Sequence, residues 1–199
     1  IDRDGFVNHL LAGHGEAAVG PFPKALPFGA SHVHGVSYQP DEARKLLEEA
    51  GWKDTDGNGY VDQDGKDLTI RWLTYPGRME LPVLAELVQD NLKQIGIKVD
   101  VECSADHLKV LEAGNYDVYA SALVTAPTGD PEYFFHTCAL DQSTKNRGFY
   151  HNDRLEALAK EMHQTFDIEK RNQLAIEMQQ IILDDHAFYF MSYLEMGIL

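Results

Sequence analysis

Asp54-x-Asp56-x-Asn58-Gly59-x-x-Asp62 sets four oxygen-bearing side chains at the spacing a loop needs to wrap a hard cation. Oxygen ligands at loop positions 1, 3, 5 and 9, with glycine at 6, form the calcium loop of an EF-hand. At position 12, where that loop carries a bidentate Glu, this chain has Gly65 beside Asp64. Asp54, Asp56, Asn58 and Asp62 are therefore candidates for weak calcium binding only. The departures from the calcium pattern favour the plain alternative, a turn whose Asx side chains bond their own backbone.

Histidines and hydroxyls supply the other candidates. His32-x-His34 offers two imidazoles, which suit nickel, copper or zinc, but no third ligand is near in sequence. His136 and Cys138 follow Gly129-Asp130-Pro131, and His136 reads either as a ligand or as a packing residue on a short helix. Thr125-Ala126-Pro127-Thr128-Gly129-Asp130 leaves the carboxyl end of an expected strand, where open α/β sheets form their ligand crevices. That loop presents Thr125, Thr128 and Asp130; Asp130 also suits the cap of a helix beginning at Pro131. Arg147, Tyr150 and His151 form a polar-aromatic patch before the next helix. No GxSxG, HExxH, GxxxxGK[ST] or GxGxxG motif occurs, so nothing sets up catalysis. Cys103 and Cys138 match no CxxC pair and fix no redox compartment.

Positioning these groups needs a folded frame, and the composition allows one. The 199 residues are 44% apolar, enough for one sizeable core, and no apolar run approaches the ~18 residues of a membrane span. A formal charge of −15 disfavours nucleic acid and anionic lipid as partners. Phe6, Val7, Leu10 and Leu11 follow Asp2 at helical spacing. Residues 14–39 are too rich in Gly and Pro for long elements and too apolar for a free linker, so the segment is expected to lie over the domain surface. A helix from Pro40 to Gly51 should bury Ala43, Leu46, Leu47 and Ala50. Strands are expected at 68–74, 97–102, 116–123 and 188–194, and helices at 81–95, 107–113, 131–136, 152–164 and 168–185. This alternation argues an α/β domain with a partly parallel sheet.

Six stretches then resemble one family in order and spacing. They are Ile1-Asp2-Arg3, the run from Pro40 to Trp52, Asp54 to Gly59, Asn91 to Val99, Gly114-Asn115-Tyr116-Asp117, and Gly129-Asp130-Pro131. The chain resembles the family 5 extracellular solute-binding proteins of the peptide/nickel class, which feed ABC importers. The resemblance implies that residues 1–199 are a single α/β lobe of the type II periplasmic-binding-protein kind, a mixed sheet flanked by helices. It also implies that this lobe belongs to a larger two-lobed protein, which would account for ends that enter and leave inside ordered structure. The implied role is capture of a nickel or other metal chelate, or of a short peptide, for ABC permease subunits. The implied location is periplasmic or extracellular and membrane-anchored, with no enzymatic activity and no required cofactor. The expected solute contacts are Thr125, Thr128, Asp130, His136, Arg147 and Tyr150. A nickel-contacting His of that class would fall near Ser143, beside Asp141 and Gln142. Val124 stands near a position where many members carry a ligand-packing Trp, which inclines the reading toward the nickel branch. A calcium-binding structural module built on Asp54–Asp64 is the alternative.

Overall fold

The computed structural model describes residues 1–195; the end of the chain, read from sequence as running out at Leu199, lies outside them. In chain order the elements are α1 (Arg3–Gly5), β1 (Gly15–Ala17), α2 (Pro40–Glu49), β2 (Asp62–Gln63), β3 (Lys66–Asp67), β4 (Thr69–Thr74), α3 (Glu80–Lys93), β5 (Lys98–Cys103), α4 (His107–Ala113), β6 (Val118–Tyr119), α5 (Glu132–Phe134), α6 (Asp153–Gln164), α7 (Ile168–Asp184) and β7 (Ser192–Leu194). Wide π-helical turns at Phe6–Leu10 and Phe135–Ala139 extend α1 and α5. The chain divides into two compact units, one of residues 1–11 and 37–122, the other of residues 12–36 and 123–199.

The first unit is built on a parallel sheet in the order β5-β4-β6. Pairing runs from Thr69 opposite Lys98 to Thr74 opposite Cys103, and Trp72 and Leu73 face Val118 and Tyr119 on the other side. Parallel neighbours need crossovers, and α3 and α4 supply them. The helical spacing of α3 puts Leu81, Leu84, Ala85 and Val88 into the core, as its apolar stripe requires. Asp2 caps α1 by accepting from the Gly5 backbone N–H (2.8 Å), and its own N–H donates to Asn91 Oδ1 of α3 (2.8 Å).

Two expectations fail in this unit. α2 forms where expected, with Pro at its start, but it buries none of its residues, and Leu46 is 55% exposed. Its two leucines satisfy a helical period, yet Leu46 is exposed and Leu47 only partly buried. β6 is two residues long rather than eight. The Asp117 carboxylate takes the Arg71 backbone N–H (2.8 Å), and the Tyr75 hydroxyl accepts from the Ala122 N–H (3.3 Å), so side chains do work a longer ladder would have done.

The second unit centres on α6 and α7, capped at their starts by Asn152 and Asp167, whose side chains accept from Leu155 N–H and Lys170 N–H. Leu155, Leu158 and Met162 of α6 meet Leu174, Met178 and Ile182 of α7 in a core completed by Phe134 and Phe135. The Gly/Pro-rich segment does not lie over this surface but enters it: Phe22 and Phe28 are buried, their rings edge-to-face at 4.9 Å. Burying two large aromatic side chains outweighs the lack of regular structure around them. Buried Gln179 of α7 fixes the segment by donating from Nε2 to the Phe28 carbonyl (2.7 Å). Gly29 lets the strap turn there, since a Cβ would sit 2.0 Å from the Pro23 carbonyl oxygen. β1 pairs antiparallel with β7, Gly15 opposite Leu194, and the Tyr193 hydroxyl lies 2.7 and 2.8 Å from the Gly20 and Phe22 carbonyl oxygens. The strand expected over 188–194 is confined to these last three residues.

Candidate functional site

A dense polar constellation surrounds α5 in the second unit. Asp130 Oδ1 accepts the Glu132 backbone N–H (2.8 Å), a turn bond of the kind Asx residues make. Both Asp130 oxygens also take Arg171 Nη2, at 2.8 and 2.7 Å, and the same nitrogen lies 2.9 Å from Glu132 Oε2. Arg171 Nη1 donates to the Met162 and Thr165 carbonyls at the end of α6, so one guanidinium ties three elements. Burial lowers the Arg171 pKa, but bonds to Glu132 and Asp130 outweigh it and leave the group firmly cationic.

The other oxygen of Glu132 faces two imidazoles. Nδ1 of His163, in the last turn of α6, is 2.7 Å from Oε1, and Nε2 of His136 is 3.2 Å from it. Glu132 and His136 stand one helical turn apart, which brings i and i+4 side chains together. Burial raises the Glu132 pKa, but hydrogen bonds from His163 and Arg171, with the charges of Arg171 and His136, overcome it and hold the carboxyl below its usual range.

The remaining candidates separate around this network. Thr125 is half-buried and Thr128 exposed in the loop before α5. Gly129 takes φ 78° to close that loop. His136 is half-exposed rather than packed, its ring turned to Glu132. Tyr150 donates its hydroxyl to Asp185 Oδ2 (2.6 Å), which also accepts from Asn152 Nδ2 (2.7 Å). Burial first, and Asp185 second, push the Tyr150 pKa well above that of a free phenol. Arg147 is half-buried in the same stretch. His151 faces Asp141 through Nδ1 (2.8 Å) and Asp153 through Nε2 (3.2 Å), and hydrogen bonding to Asp141 raises its pKa. Ser143 closes the π-helical turn: its Oγ donates toward the Phe135 and His136 carbonyls and accepts the Leu140 N–H. Cys138 is buried, which pushes its thiol pKa up, and Cys103 is exposed; both are free.

In the first unit, the calcium-like run folds as the turn alternative requires. Asp54 accepts from the Gly57 and Gly59 N–H groups, Asp56 from Asn58 N–H, and Asn58 Oδ1 from Tyr60 N–H. Asp62 is buried and takes both the N–H and the hydroxyl of Thr55. The Asp54, Asp56 and Asp62 oxygens come within 4.8 Å of one another, yet each has a protein donor. Calcium binding has no support in this geometry. His32 and His34 are exposed, and neither joins a three-ligand group among the described residues.

Sequence reasoning missed Glu132, His163 and Arg171. The i, i+4 spacing of Glu132 and His136 was a readable signal; His163 and Arg171 lie 31 and 39 residues from Glu132, and only the packing of α6 and α7 brings them near.

Similarity to known proteins places this architecture. Residues 1–146 match the family described as bacterial extracellular solute-binding proteins, family 5 Middle. The oligopeptide-binding protein AppA of Bacillus subtilis is 31% identical over 97% of this chain and 36% of its own length. The nickel-binding protein NikA of Staphylococcus aureus is 26% identical over 97% of this chain and 37% of its own. The crystal structure of a nickel ABC transporter protein from Bacillus halodurans, 28% identical, superposes with a TM-score of 0.82 over 98% of this chain and 40% of that one. The chain thus spans little more than a third of the length of the curated relatives it matches, and those relatives are binding proteins, not enzymes. The α/β fold is that of type II periplasmic-binding-protein lobes. A family match covering residues 1–146, borne on that fold, establishes that the chain belongs to the family 5 bacterial extracellular solute-binding proteins.

Proposed function

We propose that residues 1–199 are one ligand-binding lobe of an ABC importer's solute-binding protein, working outside the cytoplasm, either in the periplasm or extracellularly on a membrane anchor. Its solute is a nickel or other metal chelate, or a short peptide, handed on to ABC permease subunits. The partner is a small molecule and not nucleic acid, and the protein works as a monomer. The observation that carries the reading is similarity over nearly the whole chain both to an oligopeptide-binding and to a nickel-binding protein. Capture works by differential binding: a solute that stabilises the closed arrangement over the open one shifts the population toward closure.

On this reading Thr125, Thr128 and Arg147 touch the solute, and His136 lies at the same edge. Asp130 and Tyr150 serve it by holding the loops through Arg171 and Asp185. Val124, 57% exposed, offers no aromatic face, which favours a compact metal chelate over a peptide.

Native mass spectrometry of the protein that carries this chain, as purified from its host, tests the proposal. Extra mass equal to nickel plus a small chelator supports the chelate reading. A ladder of peptide-sized adducts assigns peptide capture instead. A preparation that carries neither, and that neither solute class protects from thermal unfolding, overturns solute capture.

A further inference from the structure

We propose that Glu132, His136 and His163 form a binding site for a single first-row transition ion, taken up directly from water without a chelator. This inference does not rest on the solute reading, since a peptide-binding or a chelate-binding chain could carry the site equally. One acidic oxygen and two imidazole nitrogens converge from two elements, with the three ligand atoms within 4.8 Å of one another. Around a tetrahedral ion with metal–ligand bonds of ~2.1 Å, neighbouring ligand atoms stand roughly 3.4 Å apart. The observed separations from Glu132 Oε1, 2.7 Å to His163 Nδ1 and 3.2 Å to His136 Nε2, are each within about 1 Å of that spacing.

The surroundings are those of a ligand set held in place. Arg171 holds the non-ligating oxygen of Glu132 at 2.9 Å, and Asp130 in turn holds Arg171, so the carboxylate is oriented from behind, as outer-shell partners orient metal ligands. His136 rides on the π-helical turn Phe135–Ala139, a local widening often found at functional sites, and Ser143 Oγ ties off the His136 carbonyl at 2.8 Å. Glu132 is partly buried while the His136 and His163 side chains are 47% and 74% exposed, so an ion can reach them and keep water in its open positions.

Donor chemistry selects the ion. Two imidazoles and one carboxylate suit zinc, nickel, copper and cobalt, with copper bound most tightly, and offer too few oxygens for calcium or magnesium. The positive charge of Arg171 behind the carboxylate works against any cation, which makes a strong imidazole-binding metal a requirement.

Calorimetric titration of the chelator-stripped chain with zinc, nickel and calcium chlorides tests the site. The expected result is one equivalent of zinc or nickel, no calcium, and a melting midpoint raised by several degrees at about a hundredfold excess over Kd. His163→Ala and His136→Ala should each weaken binding by about tenfold or more, while D54N and the double substitution of His32 and His34 by Ala leave it unchanged. His163 is exposed, so H163A should melt as the parent does without metal, and it carries the test alone where another variant fails to fold. No binding by the parent chain, or undiminished binding by H163A, overturns the proposal. Either result leaves the solute reading intact, because these titrations contain neither chelator nor peptide.

Discussion

Arg171 of α7 closes on Asp130, 41 residues earlier, with Nη2 at 2.8 and 2.7 Å from the two carboxylate oxygens, and so ties the start of α5 to α7. Its side chain is 15% exposed, so removing it leaves Asp130 and Glu132 partly desolvated beside each other with their shared cation gone. Arg171→Ala should cost about 2–4 kcal/mol of stability in urea unfolding. Arg171→Lys should recover only part of this, because an ammonium cannot reach both carboxylates and two carbonyls at once. A loss below ~0.5 kcal/mol would show the network to be decorative.

Phe22 is fully buried against Phe28, Phe134 and Phe135. Phe22→Ala should cost about 3–5 kcal/mol, the range for emptying an aromatic core site. A segment that merely covered the surface would lose less than ~1 kcal/mol, and equilibrium unfolding separates the two outcomes.

Asp54 satisfies the N–H groups of Gly57 and Gly59 with its own oxygens. Asp54→Ala should therefore cost about 1 kcal/mol or less from an exposed turn. Added calcium should leave the melting midpoint of the parent chain where it is. A calcium-dependent rise of several degrees, lost in the Asp54 variant, would return the loop to a cation-binding role.

Two exposed pairs should bend the pH profile in opposite directions. His151 is held above its usual pKa by hydrogen bonding to Asp141, so its contribution is full below the unfolded value near 6.5 and fades as pH rises through the folded value. Asp117 is held below its usual pKa by hydrogen bonds from Arg71, so its contribution is present above about 3.8 and fades as pH falls through the folded value. Following the His151 ring protons by NMR should give a midpoint above 6.5 that moves back toward it in Asp141→Asn. An unmoved midpoint would count against the pairing.

Local signals in the sequence specified most elements. Asn152 and Asp167 mark the starts of α6 and α7, and the apolar stripe of α3 is buried as its spacing requires. Where the reading failed, the deciding partner lay far along the chain. Periodicity in α2 reports a possible apolar face but not whether anything covers Leu46. The Gly/Pro density at 14–39 correctly excluded long elements, but it could not announce that Phe22 and Phe28 meet α5 and α7. The Asx-rich loop was ambiguous because most donors for its carboxylates are backbone N–H groups, invisible to a residue pattern. Glu132 and His136 were legible as a pair; their third member, His163, was not.

The strap through Phe22 and Phe28 also sets an order on how the chain can assemble. Gln179 grips the Phe28 carbonyl across 151 residues, and Tyr193 lies against the Gly20 carbonyl across 173. During synthesis the early segment emerges with its aromatic rings bare, and it stays so until more than a hundred further residues have followed. The other unit completes its parallel sheet by residue 119, well before that wait ends. Contacts this distant in sequence slow folding and prolong the exposure of apolar surface. The second unit thus has to wait for the end of the chain before its core can close, whereas the sheet of the first unit needs only residues up to 119.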